Sequence, residues 1–282
     1  MDDTEKIVAH VNVGDRILDV RAGSGCVADL ISCHRAGCHI ELLETDADAN
    51  SILGTKYCRD SDIQVHSPKL DYFLAVKILK ERLISYDTIV MSAAIHEIFS
   101  FTKWKGKFYN REIVSKIVEE AASLLSPGGK LIIRDGVLPE NYYAADEFEI
   151  YGDKGRGCEL ANLAVKYAKC AERIGDPLFL PKVVSLDKHA VQCSGSRAAL
   201  TNLLYTITWG TIPFHRECRK LNSFFSLTDW IKLADTIGKA CGLKITYMES
   251  YLQDGYVNNL DGYTSFGRRL PDSNCIVVLE KR

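Results

Sequence analysis

Ile17-Leu18-Asp19-Val20-Arg21-Ala22-Gly23-Ser24-Gly25-Cys26 decides how this chain reads. An apolar run closing on an acid, then two glycines, then the stretch Val27–Arg35 spell strand, tight turn and helix. Such a turn lets a nucleotide-like ligand lie against bare backbone at a helix N-terminus. A Cβ would block that approach, and the helix dipole favours an anionic group there.

Working outward, strands and helices alternate through about residue 135. Strands are expected at Arg16–Val20, Cys38–Glu44, Ile63–His66, Thr88–Ser92 and Lys130–Arg134. Helices are expected over Thr4–Val11, from near Ala47, over Asp71–Leu83 and over Arg111–Leu125, the last stopped by Ser126-Pro127-Gly128-Gly129. From 136 to about 225 the rhythm changes, with helices at Cys158–Ile174 and Arg197–Tyr205. A helix at Leu227–Cys241 and strands at Lys244–Ser250 and Cys275–Glu280 follow. The expected fold is α/β: a Rossmann-like, seven-stranded, mostly parallel sheet with an antiparallel last strand, plus a mainly helical insertion before the last two strands. The expected organisation is a single domain, 1–282, with a substrate-covering insertion at 136–225.

The 282 residues are 46% hydrophobic and 26% charged, as in an ordinary globular protein. A formal charge of −2 gives no global attraction to nucleic acid or anionic membrane. The acidic start Met1-Asp2-Asp3-Thr4-Glu5 is no signal peptide, and no apolar run reaches the roughly 18 residues of a membrane span. A cytoplasmic protein without a membrane partner is expected. Ten cysteines are scattered with no CxxC pair, which reads as reduced thiols. Cys33-His34 and Cys38-His39 straddle a helix end and a strand start, a poor basis for tetrahedral zinc, so no metal site is expected.

In an open parallel sheet, ligands bind at the carboxyl ends of the strands near the topological switch point. After the first strand come Asp19, Gly23 and Gly25; after the second, Glu44 and Asp46; after the fourth, Ser92, Ala93, His96 and Glu97. Glu44 is placed to accept both hydroxyls of a ribose. Asp46 equally suits the cap of the following helix, and Glu97 a cap or salt-bridge partner. Gly23-x-Gly25-x-x-Ala28 also satisfies the dinucleotide fingerprint. Asp19 weighs against NAD, because a carboxylate suits a ligand with an ammonium group better than a pyrophosphate.

Ile17 to Gly25 resembles the first motif of class I S-adenosylmethionine-dependent methyltransferases. Tyr86-Asp87-Thr88-Ile89-Val90-Met91-Ser92-Ala93-Ala94-Ile95-His96-Glu97-Ile98 resembles their fourth-strand motif, and Leu124 to Ile133 their helix-to-fifth-strand motif. The resemblance covers residues 5–135 and the closing hairpin at roughly 227–282. It implies S-adenosylmethionine as methyl donor, with Asp19, Gly23 and Gly25 around the methionine portion and Glu44 on the ribose. Asp71, which also reads as a helix N-cap, would flank the adenine; Ser92 and Ala93 would lie beside the sulfonium.

Arg21 stands where the family has glycine or another small residue. Its side chain has three courses: outward, onto the cofactor's carboxylate, or into the pocket. His96, one helical turn beyond the donor-side loop, is the candidate general base, with a structural histidine as the alternative. The expected function is methyl transfer to a small-molecule acceptor at oxygen, nitrogen or carbon.

Three other readings stay open. Arg21 alone hints at a catalytically inactive S-adenosylmethionine-binding partner or regulator. Lys103, Lys105 and Lys107 with Trp104 and Phe108 hint at RNA methylation, against a mildly acidic total charge; such a run, like Arg268-Arg269 in the last loop, more often marks a solvated loop. The glycine fingerprint leaves an NAD-dependent oxidoreductase. No Asn/Asp-Pro-Pro-aromatic motif follows the fourth strand, which disfavours the base amino-nitrogen methylation that motif serves. Tyr142, Tyr143, Phe148, Tyr151, Trp209 and Phe214 line an acceptor pocket or, for most of them, form the core of the insertion.

Overall fold

The computed structural model describes residues 3–66, 71–152, 155–186, 190–265 and 270–282. The first half runs α1 (Asp3–Val8), β1 (Arg16–Val20), α2 (Cys26–His34), β2 (His39–Leu43), α3 (Ala47–Lys56), β3 (Ile63–Val65), α4 (Tyr72–Glu81), β4 (Tyr86–Ser92), α5 (Ile95–Phe101), α6 (Glu112–Leu124) and β5 (Leu125–Gly136). It continues with β6 (Ala145–Tyr151), α7 (Arg156–Ala171), β7 (Lys182–Ser185), β8 (Ala190–Ser196), α8 (Arg197–Ile207) and α9 (Thr211–Glu217). The close is α10 (Leu227–Cys241), β9 (Leu243–Tyr251), α11 (Asp254–Leu260) and β10 (Asn274–Lys281).

Seven strands form one sheet in the order β3-β2-β1-β4-β5-β10-β9. β1 through β5 are parallel where they pair, whereas β10 lies antiparallel between β5 and β9. Helices cover both faces, so the central strands are near-continuous apolar runs: Ile17 and Leu18, Leu42 and Leu43, and Ile89 to Met91 are all buried. The order reverses between β1 and β4, where the chain leaves one half of the sheet for the other, and their carboxyl ends open a crevice. Among the described residues no helix is long and apolar enough to cross a membrane.

β5 begins five residues before the expected Lys130, running through Pro127-Gly128-Gly129. Leu125 pairs with Tyr86, and a register shift between Tyr86 and Thr88 then sets Thr88 against Lys130. Gly129 permits the shift, since a Cβ there would press on the Tyr86 and Asp87 carbonyls.

The 136–225 segment holds more strand than expected: β6, β8 and β7 form a separate antiparallel sheet. These strands are short and largely half-buried or exposed, which blurs their alternation. Helices α7 and α8 close a second core over this sheet around Phe148, Ile150, Tyr167 and Leu203. Tyr256 and Leu260 of α11, beyond the segment, complete that core, so the cap also draws on residues after β9.

The segment leaves and rejoins the sheet at one place. Gly136 bridges to Ser223, and the Leu138 amide donates to the Phe225 carbonyl at 2.9 Å. A Cβ on Gly136 would run into the Asn222 carbonyl. Gly136→Ala is therefore expected to lower stability by at least about 2 kcal/mol, since a backbone oxygen cannot rotate away. Denaturant unfolding checks this; an unchanged midpoint would show that the junction yields freely.

Candidate active site

The tips of β1, β2 and β4 enclose a hollow of about 300 Å³ lined by Asp19, Arg21, Gly23, Glu44, Ser92 and Ala93, with Glu97 and Arg216 across it. Glu44 is docked onto the glycine turn: its Oε2 accepts the Gly23 amide and its Oε1 the Asp46 amide, each at 2.8 Å. Each oxygen keeps a second lone pair. Asp19 is buried, and its Oδ2 has no hydrogen-bond partner among the described residues. Burial, reinforced by neighbouring Glu44, pushes the Asp19 carboxyl up to about 7. A buried acid left in this state is matched by a cation entering the hollow.

Arg21 adopts the left-handed region, φ 60°, which disfavours a side chain. Its guanidinium stays along the wall of the hollow, donating to Thr45 Oγ1 at 2.6 Å and pairing with Glu97. Glu97 also receives Arg216 at 2.9 Å and Lys220 at 3.2 Å. Burial acts to raise the Glu97 carboxyl, but Arg21, Lys220, His96 and Arg216 together hold it down at about 2. Lys220 pairs in turn with Glu217 at 2.9 Å. The glycine turn, α5 and the cap helix α9 are thus tied through one carboxylate. Arg216 and Lys220 escaped the sequence reading, having no local motif.

Three expected site residues stand elsewhere. Gly25 caps α2 with φ 80° and backs onto the end of α3, just past which the Tyr57 hydroxyl donates to its carbonyl at 3.0 Å. Asp46 caps α3 by accepting the Asp48 and Ala49 amides at 3.1 and 3.0 Å. Asp71 caps α4 by accepting the Leu74 amide at 2.9 Å. None of the three lines the hollow.

Ala93, also left-handed at φ 54°, borders a second hollow of about 530 Å³ between the sheet and the cap. His96, Asp135 and Ser223 line it, facing the aromatic side chains of Tyr205, Trp209 and Tyr256. His96 Nδ1 lies 2.7 Å from Asp135 Oδ1, and the His96 amide donates to Asp135 Oδ2 at 3.0 Å. A carboxylate only accepts, so Nδ1 carries a proton, and it is Nε2 that bears the lone pair when the ring is neutral. That Nε2 is buried with no partner among the described residues. Asp135 was not singled out in the sequence, although it ends the strand beside β4, where the switch-point rule directs attention.

The lysine loop is anchored. Trp104 stacks on Phe73 with centroids 5.8 Å apart, Lys105 pairs with Glu112 at 2.6 Å, and Lys103 lies over Phe108. Arg268 and Arg269 lie outside the described residues. Of the six insertion aromatics, Phe148 and Phe214 belong to the cap core, and Trp209 alone lines the second hollow.

No family model matches the chain, and no curated protein matches its sequence. Solved structures match its fold. An S-adenosylmethionine-dependent methyltransferase from Mesorhizobium loti aligns at a TM-score of 0.50 and 12% identity, over 98% of this chain and 95% of the other. A cyclopropane synthase from Mycobacterium tuberculosis aligns at 0.50 and 12%, over 99% of this chain and 82% of the other. The chain has the Rossmann-like fold of the class I S-adenosylmethionine-dependent methyltransferases.

Asp19 supplies a stability test free of any ligand. Its raised carboxyl value means that the folded state is penalised progressively as pH rises from about 4 to about 7, and fully above that. Asp19→Asn escapes the penalty. Its stability relative to the parent should rise by on the order of 3 kcal/mol between about pH 4 and about pH 8. A pH-independent difference in denaturation would show that Asp19 is not the burdened acid.

Proposed function

We propose that this protein binds S-adenosylmethionine in the hollow between β1, β2 and β4 and catalyses methyl transfer to a small molecule held beneath the cap. The observation that carries the reading is the unpartnered Asp19 Oδ2 in a hollow beside a glycine turn, with an unpartnered histidine nitrogen in a second hollow that shares Ala93 as a lining residue. When bound, the donor supplies an electrophilic methyl group on a sulfonium.

The residues present fit such a ligand. Asp19 gives up its proton and holds the ammonium. Gly23 offers bare backbone, and Glu44 accepts from the ribose hydroxyls with its remaining lone pairs. Ser92 and Ala93 form the wall beside the sulfonium, and the small Ala93 side chain leaves the two hollows adjoining. Arg21 and Arg216 set positive charge along the rim, where an amino acid carboxylate belongs. His96 is oriented by Asp135 to take a proton at Nε2, and α9 screens the acceptor side from water.

Calorimetric titration with S-adenosylhomocysteine, which keeps the ammonium, ribose and adenine, tests the donor site. Binding is expected, tightening as pH rises toward about 7 and levelling above, because Asp19 must ionise to meet the ammonium. Asp19→Asn should weaken binding by more than about tenfold and remove that pH dependence. No binding by the parent, with binding restored in Arg21→Gly, would show instead a hollow shut by its own arginine.

A further inference from the structure

The second hollow narrows the acceptor. Resting on the methyl-transfer reading above, we infer that it takes an aromatic hydroxyl compound with a second polar substituent beside the reacting oxygen. Residues lining this hollow carry three unpartnered buried atoms: His96 Nε2, Ser223 Oγ and Arg134 Nε. The opposite wall is aromatic. Tyr205 and Tyr256 lie with centroids 4.3 Å apart, and Trp209 stands edge-on to Tyr256 at 5.2 Å. Flat rings pack on such a wall in offset or edge-on contact, while a saturated ring of the same size gains less.

Charge excludes the other acceptor classes. Asp135 and Glu217 border the hollow and repel a carboxylate acceptor. The two cations on the wall already face carboxylates, Lys220 with Glu97 and Glu217 and Arg134, through Nη2, with Asp3, so that neither brings a full unneutralised charge to the hollow. An ammonium would be attracted but has no lone pair with which to attack. A neutral amine attacks without first losing a proton and needs no base at that moment. A phenolic hydroxyl does need one, and the His96–Asp135 pair presents a base whose imidazolium form would sit against a carboxylate.

The transfer balances on these atoms. The phenol oxygen forms a bond to the methyl carbon as the carbon–sulfur bond opens, and that bond's electron pair stays on sulfur. The hydroxyl proton passes to His96 Nε2 and leaves later to solvent. The products are an aryl methyl ether and S-adenosylhomocysteine. Ser223 Oγ, beside Gly136 at the junction of sheet and cap, bonds the neighbouring substituent and fixes which oxygen faces the histidine.

Catechol is the probe, with cyclohexane-1,2-diol, aniline and benzoate as matched controls. In the presence of S-adenosylhomocysteine, catechol is expected to quench intrinsic fluorescence, and Trp209→Phe to abolish the quench while Trp104 and Trp230 remain. With labelled S-adenosylmethionine, catechol should accept methyl in preference to all three controls. His96→Gln should lower the rate by at least about hundredfold with S-adenosylhomocysteine affinity unchanged. Asp135→Asn should shift the pH–rate profile, as expected of a residue that orients the base. Equal transfer to cyclohexane-1,2-diol overturns the aromatic assignment, and transfer to aniline or benzoate but not catechol overturns the hydroxyl. Binding of S-adenosylhomocysteine with neither quench nor transfer for catechol overturns the acceptor class and leaves the donor site standing. Failure of S-adenosylhomocysteine to bind overturns the donor site and this inference with it.

Discussion

One oxygen of one buried acid organises the site. Parallel strands that end side by side bring their terminal residues into a common crevice, and three carboxyls meet that circumstance here in different ways. Glu44 is satisfied by two backbone amides. Asp135 accepts from the His96 ring, the His96 amide and the Gly136 amide. Asp19 alone keeps an unmet oxygen and a carboxyl value near neutrality. A protein whose whole stability amounts to roughly 10 kcal/mol retains such a group only where rigid strands hold it. Two left-handed side-chain-bearing residues, Arg21 and Ala93, border the same hollow. Strain, desolvation and unmet hydrogen bonding coincide within a few residues, as they do where a ligand completes the structure.

What the sequence discloses follows from how local each determinant is. Strand, glycine turn and helix around Asp19 are set by neighbours in the chain, so the hollow's first wall was legible. The switch between β1 and β4 follows from alternating elements, and with it the positions of Glu44, Ser92 and Ala93. Asp46 and Asp71 show the limit of residue type as a guide. A helix cap and a ligand contact both ask for a short carboxylate at a strand-to-helix turn, and only coordinates separate them. The three seven-residue helices α5, α9 and α11 are too short for periodicity to announce. Partners far apart in sequence were invisible: Asp135 lies 39 positions from His96, and Lys220 lies 123 from Glu97. Those pairings set a second hollow beside the first.

Arg21 looks at first like damage to the glycine motif. Its neighbours change that reading. A half-buried arginine without a counter-ion would be destabilising, and Glu97 supplies one within α5. Glu97 in turn would be a costly buried anion with Arg21 alone to face it in the cap's absence, and α9 and its C-terminal flank bring Arg216 and Lys220. Each charge makes the next tolerable, so the turn and the cap helix are held in a fixed relation. Buried ion pairs contribute little net stability compared with apolar packing; what they specify well is geometry.

The same network shapes the field inside the hollow. Arg21, Arg216 and Lys220 face Glu97 and Glu217, leaving one cation in excess along that rim. On the floor, Asp19 and Glu44 set negative character within the same small space. A ligand with one charge would satisfy one side and be repelled by the other. A zwitterion of amino acid kind, its ammonium turned to Asp19 and its carboxylate to the arginines, satisfies both at once. In the proposed donor complex the accompanying ribose meets Glu44, whose backbone bonds leave a lone pair on each oxygen. Arg21 in the place of a glycine is therefore part of a field that suits a zwitterion, and the hollow is polar in two opposite senses.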